Sequence, residues 1–372
     1  MSSNFLSDFI NGAIESSGND FRDNYDASRF GPRTRSSAGP SRWIKDSIYY
    51  FLNGLNLKRE SRVKIQVNKA VTAIVQHIND YEWLYKNLED EESRKLLVQV
   101  QLYRALGETY IKLPLNNKNY WSKLEAIEKL MAGAETIDLG FMDWKACRID
   151  LNSMGYPLEL FLRPQGVLTQ LILQQYRCHI ADMVIEVSEG DVVIDGGGCH
   201  GETALYFASK AGSSGKVFSF EFMPENLSIF RRNMELNPAA AERVNLIEKP
   251  LWGRSGEKLY IKGSGPSTRV SHRALEPGAK QIETLSIDDL IREKNLPKVD
   301  FIKMDIEGAE LQALKGAEEC IRKFRPKLAI SIYHKPEDFW TIPKYIADLG
   351  MEYRFALRHF TIHKEETVLF AY

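Results

Sequence analysis

The sequence predicts an α/β protein with a doubly wound, mostly parallel sheet, preceded by a helical N-terminal subdomain. Three observations predict this fold. From residue 191 onward, short apolar runs alternate with amphipathic stretches of helical length, which is typical of successive βαβ units. The last two apolar runs have no long helix between them, so we expect an antiparallel hairpin at one side of the sheet. Residues 43–133 instead repeat apolar side chains at helical spacing.

The composition is that of an ordinary globular protein. The 372 residues are 44% hydrophobic and 27% charged, which excludes disorder of the whole chain. At roughly 150 residues per domain, this length favours two globular units. The 49 basic and 50 acidic residues give a formal net charge of −1, so we expect no nucleic-acid partner.

The cysteines and the hydropathy pattern bear on the compartment. The four cysteines form no C-x-x-C pair, so zinc ribbons and disulfide scaffolds are disfavoured and reduced thiols fit better. The first twenty residues lack the basic and apolar segments of a secretory signal. No uninterrupted run of about 18 apolar residues occurs. We therefore expect a cytoplasmic protein without a membrane span.

The first part of the chain divides into a tail and a helical subdomain. Residues 1–42 are rich in Ser, Gly, Asn, Asp and Arg, and such a composition buries too little apolar surface to order itself, so a flexible tail is expected. The helical subdomain is assigned to residues 43–140. Its three helices are predicted at about 67–85, 91–106 and 121–131.

The rest of the chain carries the strands. Over residues 141–190 we expect a hairpin around the turn-prone tetrad 152–155, then a helix at about 165–176 that leads into the core. The core domain is assigned to residues 191–372. Its strands are predicted at 191–195, 216–221, 244–248, 257–262, 299–305, 327–333, 351–357 and 367–372. Its helices are predicted at about 201–211, 224–237, 286–295, 307–323 and 336–349.

A glycine-rich turn follows the first strand of the core domain, in the segment VVIDGGGCHGETALYF at 192–207. The strand ends at Asp195, and a helix begins near Gly201. Gly196, Gly198 and Gly201 formally satisfy the dinucleotide fingerprint G-x-G-x-x-G. Glycine is needed where the backbone approaches a ligand closely, and helix N-terminal amides suit polar or anionic groups. The turn therefore predicts a ligand site.

Acidic residues at the ends of two other strands point to the same site. Glu221 ends the second strand, where a carboxylate hydrogen-bonds ribose hydroxyls in nucleotide-type sites. Asp305 ends a buried strand beside the switch point, and an unpaired carboxylate there would be costly. Glu307 opens the next helix, where it also complements the helix dipole. His334 follows the neighbouring strand and is a candidate proton acceptor, because its pKa lies near working pH.

Four segments together give the sequence a family resemblance. They are DGGGCHG at 195–201, EFMPEN at 221–226, ETLSIDDL at 283–290 and KMDIEGAE at 303–310. Together they resemble the FkbM-type methyltransferases over about residues 160–372. The resemblance implies a Rossmann-like, seven-stranded methyltransferase sheet whose domain binds S-adenosylmethionine and methylates hydroxyl groups, often of sugars or polyketides. One residue departs from the family pattern, because Cys199 stands where such enzymes commonly carry Asn.

The resemblance also implies roles for single residues. The predicted cofactor-binding residues are Asp195, Gly196, Gly197, Gly198, Gly201, Glu202, Thr203, Glu221, Phe222, Leu251 and Asp305. The predicted catalytic residues, which surround the transferred methyl group, are His334, Asp305 and Glu307. The expected acceptor is a small molecule or a glycan. Its methylated hydroxyl group is expected to belong to a sugar, a glycan or a glycosylated natural product.

The reaction leaves two versions open. A sulfonium methyl group is already activated, so the protein must orient the acceptor hydroxyl and remove its proton. His334 with Asp305 supplies a base in the metal-free version, which we favour. Alternatively, Asp305 and another carboxylate hold Mg²⁺, which prefers oxygen ligands. The long loop over residues 263–278 is a candidate cover for the acceptor.

Two other functions compete with methyl transfer. The glycine turn and Glu221 also fit an NAD(P)-dependent oxidoreductase. A non-catalytic binding protein with the same fold is the third interpretation, and retention of both Asp195 and Glu221 weighs against it. The sequence does not predict an oligomeric state.

Overall fold

The computed structural model describes residues 4–30, 74–140, 144–263, 268–274 and 280–372. Its strands are β1 (Thr136–Asp138), β2 (Lys145–Asp150), β3 (Glu159–Leu162), β4 (Cys178–Ile180), β5 (Met183–Ile185), β6 (Val192–Gly196), β7 (Lys216–Phe220), β8 (Val244–Ile247), β9 (Lys258–Lys262), β10 (Arg269–Ser271), β11 (Gln281–Glu283), β12 (Phe301–Met304), β13 (Lys327–Ser331), β14 (Phe355–His359) and β15 (Thr367–Ala371).

The central sheet has seven strands in the order β14-β15-β13-β12-β6-β7-β8. Strands β6, β7, β8, β12 and β13 are parallel, and β15 is antiparallel to both of its neighbours. Strands β6 and β12 are parallel neighbours although they are far apart in sequence. The strand order proceeds toward opposite edges of the sheet from these two strands. The carboxyl ends of these two strands therefore flank the topological switch point, where doubly wound sheets bind ligands. The predicted fold class is confirmed.

The helices follow the predicted order. They are α1 (Phe5–Ser16), α2 (Ala27–Phe30), α3 (Ile78–Asn87), α4 (Glu91–Leu106), α5 (Lys118–Met131), α6 (Pro164–Gly166), α7 (Glu202–Ala211), α8 (Pro224–Leu236), α9 (Pro238–Ala241), α10 (Ile287–Lys294), α11 (Glu310–Lys315), α12 (Glu318–Phe324) and α13 (Asp338–Asp348). Helix α6 continues in π-helical geometry over Val167–Ile172. The structure has two helices where the sequence predicts one at 307–323, because α11 ends before Gly316 and α12 begins after it.

Two hydrophobic cores cover the two faces of the central sheet. The alternation of side chains along β6 shows how the sequence divides them, since Val193 and Ile194 are both fully buried but on opposite faces. Ile194 belongs to the core that includes α1, α3 and α4, and Val193 to the core that includes α5 and α7. The N-terminal helices therefore pack directly on the core domain.

The prediction of a flexible tail over residues 1–42 is wrong for the residues that the structure describes. Helix α1 places Phe5, Phe9 and Ala13 on one face, and all three are buried. Phe5 stacks on Tyr81 of α3 with ring centroids 5.1 Å apart. This four-residue apolar spacing is an amphipathic stripe that the polar composition of the segment concealed. Residues 31–42 lie outside the described ranges.

Residues 19–30 continue from α1 as a strap across the molecule. Asn24, which is fully buried, donates hydrogen bonds to the carbonyls of Glu108 and Ile111, each at 2.6 Å. The backbone amide of Asp26 donates to Nε2 of His363 at 3.0 Å. Buried backbone contacts of this kind hold the strap beside the C-terminal hairpin.

One of the smaller sheets departs from the expected layout, and another contains the predicted hairpin. Strand β9 does not join the central sheet but pairs antiparallel with β10 and β11. Of the loop expected at 263–278, the described part includes β10, so this stretch is not wholly irregular, and the rest lies outside the described ranges. The predicted hairpin is confirmed, because β2 pairs antiparallel with β3 around a 3₁₀ turn at Asn152–Met154.

Part of the predicted helical subdomain lies outside the described residues. This concerns residues 43–73, which include the first seven residues of the helix expected at 67–85. Helices α4 and α5 lie where they were expected; Asp90 caps α4 by accepting from the amide of Ser93 at 2.6 Å. Within the described ranges, no helix combines the length and the apolarity needed to cross a bilayer.

We predict that Phe5→Ala lowers the free energy of unfolding by about 3–5 kcal/mol, because it leaves a cavity beneath α1. Urea unfolding of the full chain measures this loss. Ile14→Ala on the same helix is the matched control, since Ile14 is 52% exposed and its removal should leave the free energy of unfolding within about 0.5 kcal/mol. Equal losses for the two variants would contradict the packing of α1 described here.

Candidate functional site

The glycine turn after β6 touches the segment after β12. Gly197 has a φ of +81°, and a Cβ atom placed on it would lie 2.0 Å from the carbonyl oxygen of Asp305. No residue with a side chain fits there. The backbone of the turn is therefore in direct contact with the residue that follows β12, at the switch point of the sheet.

A buried ion pair fixes this contact. Lys303 on β12 and Asp195 on β6 are register partners, and their side chains are 1% and 0% exposed. Lys303 Nζ lies 3.1 Å from Asp195 Oδ1 and donates to the carbonyls of Gly196 at 3.0 Å and Gly197 at 2.6 Å. Burial lowers the pKa of Lys303, but the surrounding carboxylates, Asp195 first among them, together outweigh burial, so that pKa is raised and the ammonium is charged.

Asp195 is consequently a structural anchor of the turn. Its carboxylate accepts hydrogen bonds from Oγ1 of Thr203 at 3.0 Å and from Oγ of Ser219 at 2.7 Å. The amides of Gly197 and Gly198 both donate to the carbonyl of Phe220, at 3.1 and 2.9 Å. These two amides are therefore used within the fold and do not point at a ligand.

A first cleft opens between the ends of β7 and β12. Glu221 lies in its wall, 7% exposed, and burial raises the pKa of its carboxyl. The amides of Phe222 and Met223 donate to Glu221 Oε1 at 2.6 and 2.8 Å, and Asn226 Nδ2 donates to Oε2 at 3.0 Å. Phe222 and Leu251 line the same cleft, as the sequence predicts. The Glu221 carboxylate is thus held in a fixed orientation that can accept ligand hydroxyls.

A second, wider cleft lies on the other side of the glycine turn. Glu202, Thr203 and His334 line it, together with side chains from the N-terminal strap and from the helix before β4. Four residues line both clefts: Gly197, Cys199, Asp305 and Glu307. The two clefts therefore meet where β6 and β12 end.

Asp305 is at the meeting point of the clefts, and aromatic hydroxyls orient its carboxylate. Tyr333 donates to Asp305 Oδ1 at 3.0 Å, and Tyr176 donates to Oδ2 at 3.3 Å. Burial raises the pKa of both phenols well above its usual value, so both remain protonated donors. The carboxylate is 19% exposed and keeps access to the clefts.

His334 reaches this site, but not in the form expected. Its Nδ1 lies 3.0 Å from Glu310 Oε1, and its Nε2 lies 3.4 Å from Asp305 Oδ1 and 3.7 Å from Glu307 Oε1. Burial lowers the pKa of His334, but the surrounding carboxylates, Glu310 first among them, raise it well above its usual range. The carboxylates therefore favour the imidazolium form of His334. A protonated ring does not accept a proton, which disfavours the predicted role of His334 as the base.

Two of the four residues that line both clefts, Cys199 and Glu307, have backbone conformations that are unusual for residues with a side chain. Their φ angles are +46° and +56°, in the left-handed region. Such conformations are costly for residues with a Cβ, and they concentrate at functional sites. Asn tolerates this region better than most residues, so the backbone here is compatible with the Asn that the family resemblance leads us to expect in place of Cys199.

The described residues contain two groups that bring metal-ligating atoms together, and neither fits Mg²⁺. In the first, Asp305, Glu310 and His334 converge, but the imidazolium occupies the place of a cation. In the second, Cys199 and His200 join Glu202; burial raises the pKa of the thiol well above its usual value and also raises that of the carboxyl. Mg²⁺ prefers a shell made up of oxygen ligands, whereas the first group offers two carboxylates beside a histidine and the second offers one carboxylate beside a thiol and a histidine.

The structure thus places the predicted site residues in three settings. Glu221, Phe222 and Leu251 line the first cleft only, Glu202, Thr203 and His334 line the second only, and Gly197, Asp305 and Glu307 line both. The other four line neither cleft and take part in the hydrogen bonds that fix the glycine turn: Asp195, Gly196, Gly198 and Gly201. Sequence reasoning missed Lys303, Tyr176 and Tyr333. Lys303 had one usable signal, since a charged side chain within a buried strand requires a partner.

This strand order, with a ligand cleft at the switch point and an antiparallel C-terminal pair, defines a Rossmann-like methyltransferase fold. Residues 195–357 match the family model of the methyltransferase FkbM domain. The crystal structure of methyltransferase FkbM from Methylobacillus flagellatus KT has the same fold, with a TM-score of 0.52 at 20% identity over 90% of this chain and 72% of that one. The predicted family is confirmed.

Two curated proteins are similar in sequence. The hexuronic acid methyltransferase AglP of Haloferax volcanii is 29% identical over 137 residues, 37% of this chain and 54% of AglP. The chain therefore spans about half the length of AglP. Methyltransferase 1 of Beauveria bassiana is 28% identical over 180 residues, 42% of this chain and 71% of that protein.

We predict that Lys303→Met lowers the free energy of unfolding by about 3–5 kcal/mol, because the Asp195 carboxylate loses its buried counter-charge. Urea unfolding measures the loss. Lys298→Met is the matched control, since Lys298 pairs with Asp300 at 2.9 Å but is 45% exposed, and surface pairs contribute about 0–1 kcal/mol. A loss for Lys303→Met no larger than that for Lys298→Met would contradict the anchoring role of the buried pair.

Proposed function

We propose that the protein is an S-adenosylmethionine-dependent O-methyltransferase acting on a hydroxyl group of a sugar, a glycan or a glycosylated natural product. The observation that carries this proposal is the meeting of two clefts at Asp305 and Gly197. Methyl transfer needs one ligand to present its methyl group to another, and two clefts joined at a carboxylate provide that arrangement.

The first cleft suits the cofactor. Glu221 has a carboxylate held by two amides, so it can accept hydrogen bonds from ribose hydroxyls without reorganising. Phe222 and Leu251 supply apolar surface for the adenine ring. Gly197 lets a ligand approach the backbone at the junction with the second cleft.

The second cleft suits the acceptor and supplies the proton acceptor. When bound, S-adenosylmethionine supplies a methyl group already activated on a sulfonium. The chain must orient the acceptor hydroxyl and take its proton as the new bond forms. Asp305 is the carboxylate at the junction, and it takes that proton. The imidazolium of His334, 3.4 Å away, and the hydroxyl of Tyr333 hold Asp305 in place.

The sugar part of the proposal is supported by one relative. AglP is described as a hexuronic acid methyltransferase, and its aligned 137 residues make it similar to part of this chain. The second cleft is also rich in polar and charged side chains, as a polyhydroxylated acceptor requires. Membership of a methyltransferase family favours this function over the oxidoreductase and the non-catalytic interpretations.

We predict that Glu221→Ala weakens binding of S-adenosylhomocysteine by roughly 1–3 kcal/mol, because the ribose hydroxyls lose a charged acceptor. Isothermal calorimetry measures the change. Glu225→Ala is the control, since Glu225 is exposed on the same segment and should not alter affinity. NAD and NADP serve as comparison ligands for the wild-type protein. Binding of NAD in place of S-adenosylhomocysteine would overturn the cofactor assignment.

We predict that Asp305→Asn lowers turnover by on the order of 10²–10⁴ while the affinity for S-adenosylhomocysteine changes little. The carboxylates around His334 raise its pKa well above its usual range, which favours Asp305 over the imidazole ring as the base. The rate should therefore not fall as the pH drops from about 8 to about 6. If a neutral histidine were the base, the rate would fall over this range because the ring would become protonated.

Two controls accompany this measurement. EDTA should leave the rate unchanged, because the clustered side chains do not form an oxygen-rich site for Mg²⁺. Restoration of an EDTA-treated enzyme by Mg²⁺ would instead support the metal-dependent version. Full turnover of Asp305→Asn would move the base elsewhere, with Glu307 as the next carboxylate at the junction.

A further inference from the structure

One wall of the second cleft carries buried polar atoms that lack partners. The wall consists of the π-helical turn Val167–Ile172 and the end of the glycine turn at His200. Thr169 Oγ1, Gln170 Oε1 and His200 Nε2 have no hydrogen-bond partner among the described residues. Thr169 is only 4% exposed and His200 5%. Buried polar atoms without partners are rare in folded proteins and call for an explanation.

The chemistry of these three atoms is fixed by their neighbours. Gln170 Nε2 donates to Glu202 Oε1 at 3.1 Å, so the amide orientation is set and Oε1 is left as an acceptor. Glu202 Oε2 accepts in turn from the backbone amide of His200 at 3.0 Å, which joins the helix to the turn. Burial lowers the pKa of His200 to about 4, so the ring is neutral and uncharged toward the cleft.

These groups together select one class of ligand. Gln170 Oε1 only accepts hydrogen bonds, and the Thr169 hydroxyl and the neutral His200 ring can pair with a hydroxyl in either direction. Glu365 Oε2, which also lacks a partner among the described residues, adds a carboxylate acceptor to the same cleft. A ligand must therefore bring several donors. A sugar ring does, because each of its hydroxyls is both a donor and an acceptor.

We propose that Thr169, Gln170 and His200 form a hydroxyl-binding subsite that holds the sugar ring of the acceptor while another of its hydroxyls lies at Asp305. This inference rests on the proposed function and names the residues that determine acceptor specificity. The π-helical turn contributes because π-helical turns recur at functional sites, where they turn side chains toward a ligand. A site that hydrogen-bonds a substrate hydroxyl discriminates strongly against analogues that lack it, since its own polar groups are then left unpaired.

The test uses the full chain and a panel of neutral glycosides: the methyl glycosides of glucose, galactose, mannose and rhamnose. Methyl transfer from labelled S-adenosylmethionine to each identifies the best acceptor, which then serves as the probe. Thr169→Val removes only the hydroxyl and should raise the KM for this glycoside by roughly tenfold. Its urea midpoint should stay the same or rise, because a buried unpartnered group has been removed. Gln170→Met should raise the KM as well.

Ser331→Ala is the matched control. Ser331 Oγ is also buried without a partner among the described residues, but it lies on β13 and does not line the second cleft. This variant should keep both its KM and its stability. Monodeoxy analogues of the probe complete the design, since wild type should discriminate against at least one of them and Thr169→Val or Gln170→Met should not.

The outcomes separate the two proposals. A wild-type protein that binds no S-adenosylhomocysteine would overturn the proposed function. A protein that binds it but methylates none of the glycosides would overturn the subsite, as would an unchanged KM for both Thr169→Val and Gln170→Met. A raised KM at unchanged affinity for S-adenosylhomocysteine, with Ser331→Ala unaffected, supports the assignment.

Discussion

The arrangement of the site depends on the buried ion pair between Lys303 and Asp195. The two side chains face each other across β12 and β6, and Lys303 also holds the carbonyls of Gly196 and Gly197. Neither charge could remain in this interior without the other. The pair therefore locks the glycine turn to the end of β12, and that contact sets Gly197 against Asp305. Both clefts derive their common wall from it.

A second constraint is the concentration of carboxyl groups around His334. Glu310 is fully buried, and its pKa is lowered, burial opposing and the imidazolium of His334 favouring the charged form. Asp338 lies nearby, and burial together with Glu310 raises its pKa to about 7. The cluster thus surrounds one buried histidine with several acids, of which Asp338 has a raised pKa and Glu310 a lowered one. Asp305 keeps its orientation because the hydroxyls of Tyr176 and Tyr333 donate to its two oxygens.

The sequence allows the fold and part of the site to be predicted, for reasons that differ by residue. Strand and helix alternation is a local periodicity, and the ends of parallel strands share one edge, so Glu221 and Asp305 could be placed together. Helix α1 was missed because the polar composition of the tail outweighed its stripe of Phe5, Phe9 and Ala13. The charge state of His334 depends on its contact with Glu310. That contact forms only when the chain folds, so the local sequence does not reveal it.

The thiol of Cys199 borders both clefts, with its backbone in the left-handed region. A sulfur atom in this position is a potential competitor for any electrophile held in the first cleft, because thiolates are strong nucleophiles. Burial raises the pKa of this thiol well above its usual value, so the sulfur keeps its proton and its reactivity is low. A methyl donor held in the first cleft, as proposed above, therefore faces a protonated thiol and not a thiolate at Cys199.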